Sequence, residues 1–322
     1  LGTNEAAIES YQAAIKIQPE RKAIYFNLGN CLQSVGESSS AEIAYRQAIE
    51  LDSSYAEAYN NLGLLLRSQS RYEEALSCLE RAIHLQPNYV EARLNLADLE
   101  FQKSNFRKCL QEVDLVLNLN PRLDKALFTK GNALRELGNY RDAAFQYQSA
   151  VELKPDYFEA LNNLADVLAT LENYEEALVA AETAIALSPE GDRTPYNNRG
   201  AALSGLGRWT EAILSYKKAI EIDPEFPYSY YNLAILLADL CEFDEAVNYY
   251  EKVNSLQPDF VTAYSNKLFS LNYHPDKTER EIFSHYEDFD EKFPFLGESV
   301  WRNSNRSHDF NLDKSLKVGY VS

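Results

Sequence analysis

Residues 56–89 read AEAYNNLGLLLRSQSRYEEALSCLERAIHLQPNY, and this 34-residue layout recurs on both sides. Pro87 closes the segment. Pro19, Pro121, Pro155, Pro189, Pro224 and Pro258 stand in the same register, with steps of 34 residues apart from one of 35 and one of 68. Ser53 takes the proline's place inside the double step. A fixed period of this length marks a stacked array of like supersecondary units. Each proline ends a helix and fixes the turn after it.

Numbering each repeat so that the proline is position 32 exposes the packing rule. Position 8 is always small: Gly29, Gly63, Ala97, Gly131, Ala165, Gly200 and Ala234. Position 20 is alanine except at Cys109, and position 27 is alanine except at Val116 and Val253. Tyrosines fill the space beside them, at position 4 (Tyr25, Tyr59, Tyr196, Tyr230) and position 24 (Tyr11, Tyr45, Tyr147, Tyr216, Tyr250). Small residues let two helices approach closely and large ones interdigitate alongside. Each hairpin leaves one apolar face bare, so neighbours must stack to cover it.

With these residues the chain resembles the tetratricopeptide family over residues 1–260. The resemblance implies an all-α fold, a right-handed superhelix of helical hairpins whose first helices line the inner wall. The repeats fall at 1–21 (a half repeat), 22–55, 56–89, 90–123, 124–157, 158–191, 193–226 and 227–260, with Asp192 as a one-residue insertion. Repeat 90–123 departs most: Arg93 replaces tyrosine, Glu100 fills an apolar slot, and Cys109 and Val116 replace alanines. It is expected to be the least tightly packed hairpin, exchanging its amides faster than its neighbours.

Position 6 reads Asn27, Asn61, Asn95, Thr129, Asn163, Asn198, Asn232 and Asn266. An asparagine amide both donates and accepts, and an extended peptide offers one N–H and one C=O per residue. With helices roughly 8–10 Å apart and a strand rising about 3.3 Å per residue, one rung meets about every third residue of a guest. The seven asparagines are therefore candidate peptide-binding residues, tolerant of the guest's side chains. The alternative is that each amide bonds a neighbouring turn of its own chain. A lysine clamp for an acidic terminus is disfavoured, because position 5 (Phe26, Asn60, Leu94, Phe128, Asn162, Asn197, Tyr231, Ser265) has no basic residue.

The formal net charge is −18, a poor match to a phosphate backbone, so nucleic acid is not an expected partner. No apolar run reaches the 18 or so residues of a membrane span, so no membrane partner is expected. Cys31, Cys78, Cys109 and Cys241 form no close pair, and His84, His274, His285 and His308 show no ligand spacing. A reduced, cytoplasmic setting without a disulfide framework or a metal site is expected. The chain opens on Leu1, in mid-repeat, and holds no methionine, as a piece of a longer protein would.

Beyond 260 the register starts again with Tyr264, Asn266 and Leu268, then breaks at Leu271-Asn272-Tyr273-His274-Pro275. Thr278 with Glu281 has the pattern of a capping box, and Ile282, Phe283, Tyr286, Phe289 and Phe293 follow at helical spacing. Residues 261–293 are thus a partial repeat with a capping helix. Residues 294–322 read as a polar linker, including His308, and a short extended tail, Leu316–Ser322, with the composition of a buried strand.

Residues 271–276, Phe289-Asp290-Glu291-Lys292-Phe293 and Lys317-Val318-Gly319-Tyr320-Val321-Ser322 resemble the junction of bacterial O-GlcNAc-transferase-like (SPINDLY-like) glycosyltransferases. In that family a repeat arm with an asparagine ladder feeds a catalytic domain. The resemblance implies a parent enzyme that takes a UDP-sugar donor and modifies serine or threonine of protein substrates. No catalytic residue of that family maps onto residues 1–322, so the chain itself is expected to be inactive and to hold no cofactor. The expected partners are extended peptide segments of protein substrates; a homo-oligomer stays open. The competing reading is a stand-alone scaffold for protein–protein interactions.

Overall fold

The computed structural model describes residues 2–188 and 191–293; the predicted strand at 316–322 and the linker before it lie outside them. Within these residues the chain is entirely helical hairpins and turns. It divides into two compact units, Leu1–Ile222 and Asp223–Ser322.

The first unit runs α1 (Gly2–Ile17), α2 (Lys22–Ser34), α3 (Ser38–Leu51), α4 (Ala56–Ser68), α5 (Tyr72–Leu85), α6 (Val90–Gln102), α7 (Phe106–Leu119), α8 (Asp124–Glu136), α9 (Tyr140–Leu153), α10 (Phe158–Thr170), α11 (Tyr174–Leu187), α12 (Thr194–Gly205) and α13 (Trp209–Ile222). Even-numbered helices are the first helices of repeats, odd-numbered ones the second. The small-residue rule holds in space. From α3 onward, the residues at positions 20 and 27 are fully buried, Cys109 and Val116 included. A Cβ added at Gly131 would sit 2.6 Å from a ring carbon of Tyr147, and one at Gly29 equally close to Tyr45. Both tyrosines are themselves completely buried, so the glycines are there to admit the rings.

One device the sequence pattern did not flag ends every first helix. Position 15 has φ between 59° and 85° in each repeat: Gly36, Ser70, Ser104, Gly138, Glu172, Gly207 and, in the second unit, Cys241. The next residue then donates its N–H back five residues, as Asn173 does to the Leu168 carbonyl at 2.9 Å and Arg71 to Leu66 at 3.0 Å. This left-handed cap satisfies carbonyls that the helix end leaves open. Glycine enters that region freely, whereas a side chain costs roughly 1–2 kcal/mol there. Glu172→Gly is therefore expected to raise stability by about 1 kcal/mol, read as a higher urea midpoint at unchanged m-value.

In repeat 90–123 the departing side chains make polar contacts of their own. Arg93 Nε donates to the Pro87 carbonyl at 2.9 Å, the bond that the tyrosine Tyr230 makes to the Pro224 carbonyl at 3.1 Å. Its Nη1 also pairs with Glu112 at 2.5 Å. Glu100 sits where other repeats have leucine, 3% exposed. Its carboxylate accepts from Asn105 Nδ2 at 2.7 Å and lies 3.7 Å from Lys108 Nζ.

The second unit holds α14 (Pro227–Asp239), α15 (Phe243–Leu256), α16 (Val261–Asn272) and α17 (Glu279–Lys292). The capping box at Thr278 is present: Glu281 N–H donates to Thr278 Oγ1, and the Thr278 N–H to Glu281 Oε2. α17 buries none of its residues. It touches α16 through Phe289 and Phe293 on the Tyr264 ring and through an Asn272–Tyr286 hydrogen bond of 2.7 Å. His274 ties this end of the unit together: it is buried, lies 3.0 Å from Asp244 in the first turn of α15, and accepts from the Asp276 N–H at Nδ1. That acceptance leaves the ring proton on Nε2, facing Asp244.

Candidate functional site

In the first unit, the backbones of successive first helices α2, α4, α6, α8, α10 and α12 come close to one another, whereas among the described residues those of the second helices do not and long side chains such as Arg46 and Glu74 bridge α3 and α5. The first helices therefore lie on the tighter, inner side of the stack, and any groove of the unit is theirs.

Asn27, Asn61, Asn95, Asn163 and Asn198 sit on this row, Asn232 and Asn266 on the first helices of the second unit, and five of the seven donate an Nδ2 hydrogen to the preceding repeat. Asn61 Nδ2 donates to Asn30 Oδ1 at 2.8 Å, and Asn163 Nδ2 to Asn132 Oδ1 at 2.9 Å. Asn30 and Asn132 hold position 9 and accept in addition from the hydroxyls of Tyr45 (2.8 Å) and Tyr147 (2.7 Å). Where position 9 offers no amide, the bond shifts to position 5: Asn95 donates to Asn60 Oδ1 at 2.9 Å, Asn198 to the Asn162 carbonyl at 3.0 Å, and Asn266 in the second unit to the Tyr231 hydroxyl at 3.1 Å. Asn60 Nδ2 in turn reaches Asn61 Oδ1 at 3.1 Å, so Asn95, Asn60, Asn61 and Asn30 form one relay across three repeats.

These bonds are brackets between repeats. Asn95 and Asn198 are buried, at 8% and 7% exposure; Asn61, Asn163, Asn232 and Asn266 are half-buried. The Asn27 side chain forms no hydrogen bond with any described residue. The amides of the brackets lie in low dielectric, where burial pushes the hydroxyls of Tyr45 and Tyr147 up to about 12.

Charge enters the row at positions 9, 12 and 2, which sequence reasoning passed over. Arg67 Nη1 (α4) and Lys125 Nζ (α8) lie 3.5 Å and 3.2 Å from the same Asp98 Oδ2 (α6). One repeat pair further on, Asp166 at position 9 is reachable by solvent yet ringed by protein. That desolvation raises its carboxyl above the ordinary value, against the pull of Arg135. A recess of about 310 Å³ opens at the first cluster, lined by Arg67, Asp98 and Lys125, by the amides of Gln102 and Asn132, and by aromatic rings. Phe128 and Tyr157 form one wall, with centroids 5.0 Å apart.

Among the described residues, no group of three or more His, Cys, Asp or Glu side chains is placed to hold a metal ion. No described helix is long and apolar enough to cross a membrane.

These features define an α-helical repeat protein of stacked hairpins with a polar inner row. Family models described as tetratricopeptide repeat match residues 56–89, 128–192 and 227–260, and a TPR repeat model matches 1–36, 43–66 and 205–240. The chain is an array of tetratricopeptide repeats. It is similar to YrrB, described as a TPR protein with an unusual peptide-binding site: 27% identity, TM-score 0.50, covering 62% of this chain and 99% of that one. A tetratricopeptide repeat protein from Parabacteroides merdae shares the fold at 19% identity, TM-score 0.58, covering 82% of this chain and 100% of that one. So does a chain of the APC/C hetero-tetramer Cut9–Hcn1, at 15% identity and TM-score 0.62, covering 82% of this chain and 52% of that one. No curated protein matches the chain.

Proposed function

We propose that the chain is a polypeptide-binding scaffold that holds extended segments of partner proteins against the inner row of first helices in its first unit. The observation that carries this reading is the recess between α4, α6 and α8, where amides, charges and aromatic rings converge on one opening. Such a mixture suits a peptide, which offers backbone polar groups and side chains together. The similarity to YrrB, a protein described by its peptide-binding site, supports it.

In this reading the position-6 asparagines have a divided role. Those at 61, 95, 163, 198 and 266 set the spacing of the rungs through their donors. At the half-buried Asn61, Asn163 and Asn266 the second N–H of the amide is left for the guest. Asn163→Ala is expected to lower stability by about 1 kcal/mol through the lost bond to Asn132. Gln102→Ala, at an exposed amide of the recess, should leave melting unchanged and weaken capture of a fluorescent randomised decapeptide pool several-fold. Loss of binding without loss of stability in Asn163→Ala would restore the simple ladder. Absence of saturable binding by wild type would end the scaffold reading.

A narrower proposal is that this arm presents protein substrates to an O-glycosyltransferase that uses a UDP-sugar donor. It rests on the sequence resemblance of residues 271–276, 289–293 and 317–322; neither the matching family models nor the similar structures named above are described as glycosyltransferases.

A further inference from the structure

The recess has a charge of its own. Position 2 of the first unit reads Ala23, Glu57, Glu91, Lys125, Glu159 and Thr194, so Lys125 reverses the sign of a row that is otherwise acidic or neutral. Lys125 points its ammonium at Asp98, and so does Arg67 from the repeat on the other side. Two cations thus share one carboxylate in the lining of the recess, in a chain of net charge −18, while Asp124 and Glu159 lie further out, beside the Tyr157 ring. Arg67 Nη1 is buried without a hydrogen-bond partner, its 3.5 Å approach to Asp98 being a charge contact only. The same recess is where the asparagine pattern lapses: Thr129 holds position 6, and its hydroxyl makes only a long 3.4 Å bond to Asp98 Oδ1.

We propose that this recess reads an acidic side chain, aspartate or glutamate, next to an apolar residue in the middle of a bound polypeptide; the proposal deepens the peptide-binding reading and rests on it. The guest's carboxylate takes up the surplus charge of Arg67 and Lys125, where charge-assisted hydrogen bonds are strongest. Its apolar neighbour lies on the Phe128–Tyr157 wall. An internal side chain rather than a chain terminus is specified because the recess lies mid-row, with first helices before it (α2) and after it (α10, α12) for the guest to run along. Asp98 is then an internal stand-in, occupying the cations until the guest arrives. The effect is a register mark in a groove otherwise tolerant of sequence.

The test uses the whole chain and two acetylated, amidated serine-rich decapeptides that differ by one central dipeptide, Leu-Glu or Leu-Gln. The Leu-Glu peptide is expected to bind about tenfold more tightly at low salt, a preference that fades as salt screens it. Lys125→Gln, at a half-exposed position where folding is not at stake, should abolish the preference. Asp98→Asn should enlarge it several-fold by removing the competitor, the opposite of what a merely structural ion pair would show. Equal binding of the two peptides, or a preference untouched by Lys125→Gln, overturns this proposal and leaves the peptide-binding reading standing. Failure of both peptides to bind overturns the two together.

Discussion

Glu100→Leu is expected to stabilise the chain by about 1–3 kcal/mol, although it deletes a hydrogen bond and an ion pair. Position 11 carries leucine at Leu32, Leu66, Leu134, Leu168, Leu203 and Leu237, and the Glu100 side chain occupies the same buried slot. A carboxylate held there has given up water for one close donor, Asn105, and one distant cation, Lys108, which is mostly in solvent. Replacing a buried ionic group with a well-packed apolar one is often neutral or favourable, by 1–4 kcal/mol. Removing the partner instead has the opposite sign. Asn105→Ala leaves the carboxylate without its near donor and should cost about 2 kcal/mol. Urea melts of the two variants decide the matter, and a lower midpoint for Glu100→Leu would refute it. The same pair explains why hairpin 90–123 is expected to exchange fastest: its core holds a group that water would rather keep.

Alkaline pH should destabilise this protein through its buried tyrosines, over a range that lies below the titration of its arginines. The unfolded reference for tyrosine is about 10, and burial holds Tyr45 and Tyr147 at about 12 in the native chain. Their native pKa values are raised, so the stabilising contribution is complete below pH 10 and is lost as pH climbs from 10 to 12. Both rings are fully buried, and each contributes a loss of about 2–3 kcal/mol across that window. Tyr216 and Tyr250 are shifted upward by burial too and add to the slope. Melting temperatures taken each half unit from pH 8 to 12 should fall from pH 10 onward. In Tyr147→Phe the fall should be shallower. A flat profile to pH 11.5 would show that the inter-repeat tyrosines are wetter than the packing implies.

Much of the fold is legible in a single period. Small residues at positions 8, 20 and 27 specify where helices cross, and a crossing is local enough for sequence to record. Thr278 and Glu281 likewise announce the start of α17 because a capping box spans only four residues. The left-handed position 15 was half legible: Gly36, Gly138 and Gly207 signal it, but Ser70, Ser104, Glu172 and Cys241 hide it behind ordinary side chains. The division into units at Ile222 and Asp223 falls inside what the period presents as one continuous array through residue 260.

The candidate site was less legible, for a geometric reason. Asparagine at position 6 is visible, but its partner is chosen by the stacking of the repeat before it. Whether Asn61 meets a guest or Asn30 depends on a distance of 2.8 Å that no spacing within one repeat encodes. Arg67, Asp98 and Lys125 come from three successive repeats at positions 12, 9 and 2, and become one cluster only when the first helices are laid side by side. Reading position 5 alone for basic residues overlooked them. A scan for sign reversals at each position, down the whole array, would have singled out Lys125.

The scaffold account is tested most directly by titrating the isotope-labelled chain with the randomised decapeptide pool and following backbone and side-chain amide resonances. Shifts should concentrate on α2, α4, α6 and α8, with the Gln102 and Asn132 side-chain amides among the most perturbed and the outer helices α5, α7 and α9 nearly silent. Shifts confined to the second helices, or a spectrum that does not move at saturating peptide, would contradict it.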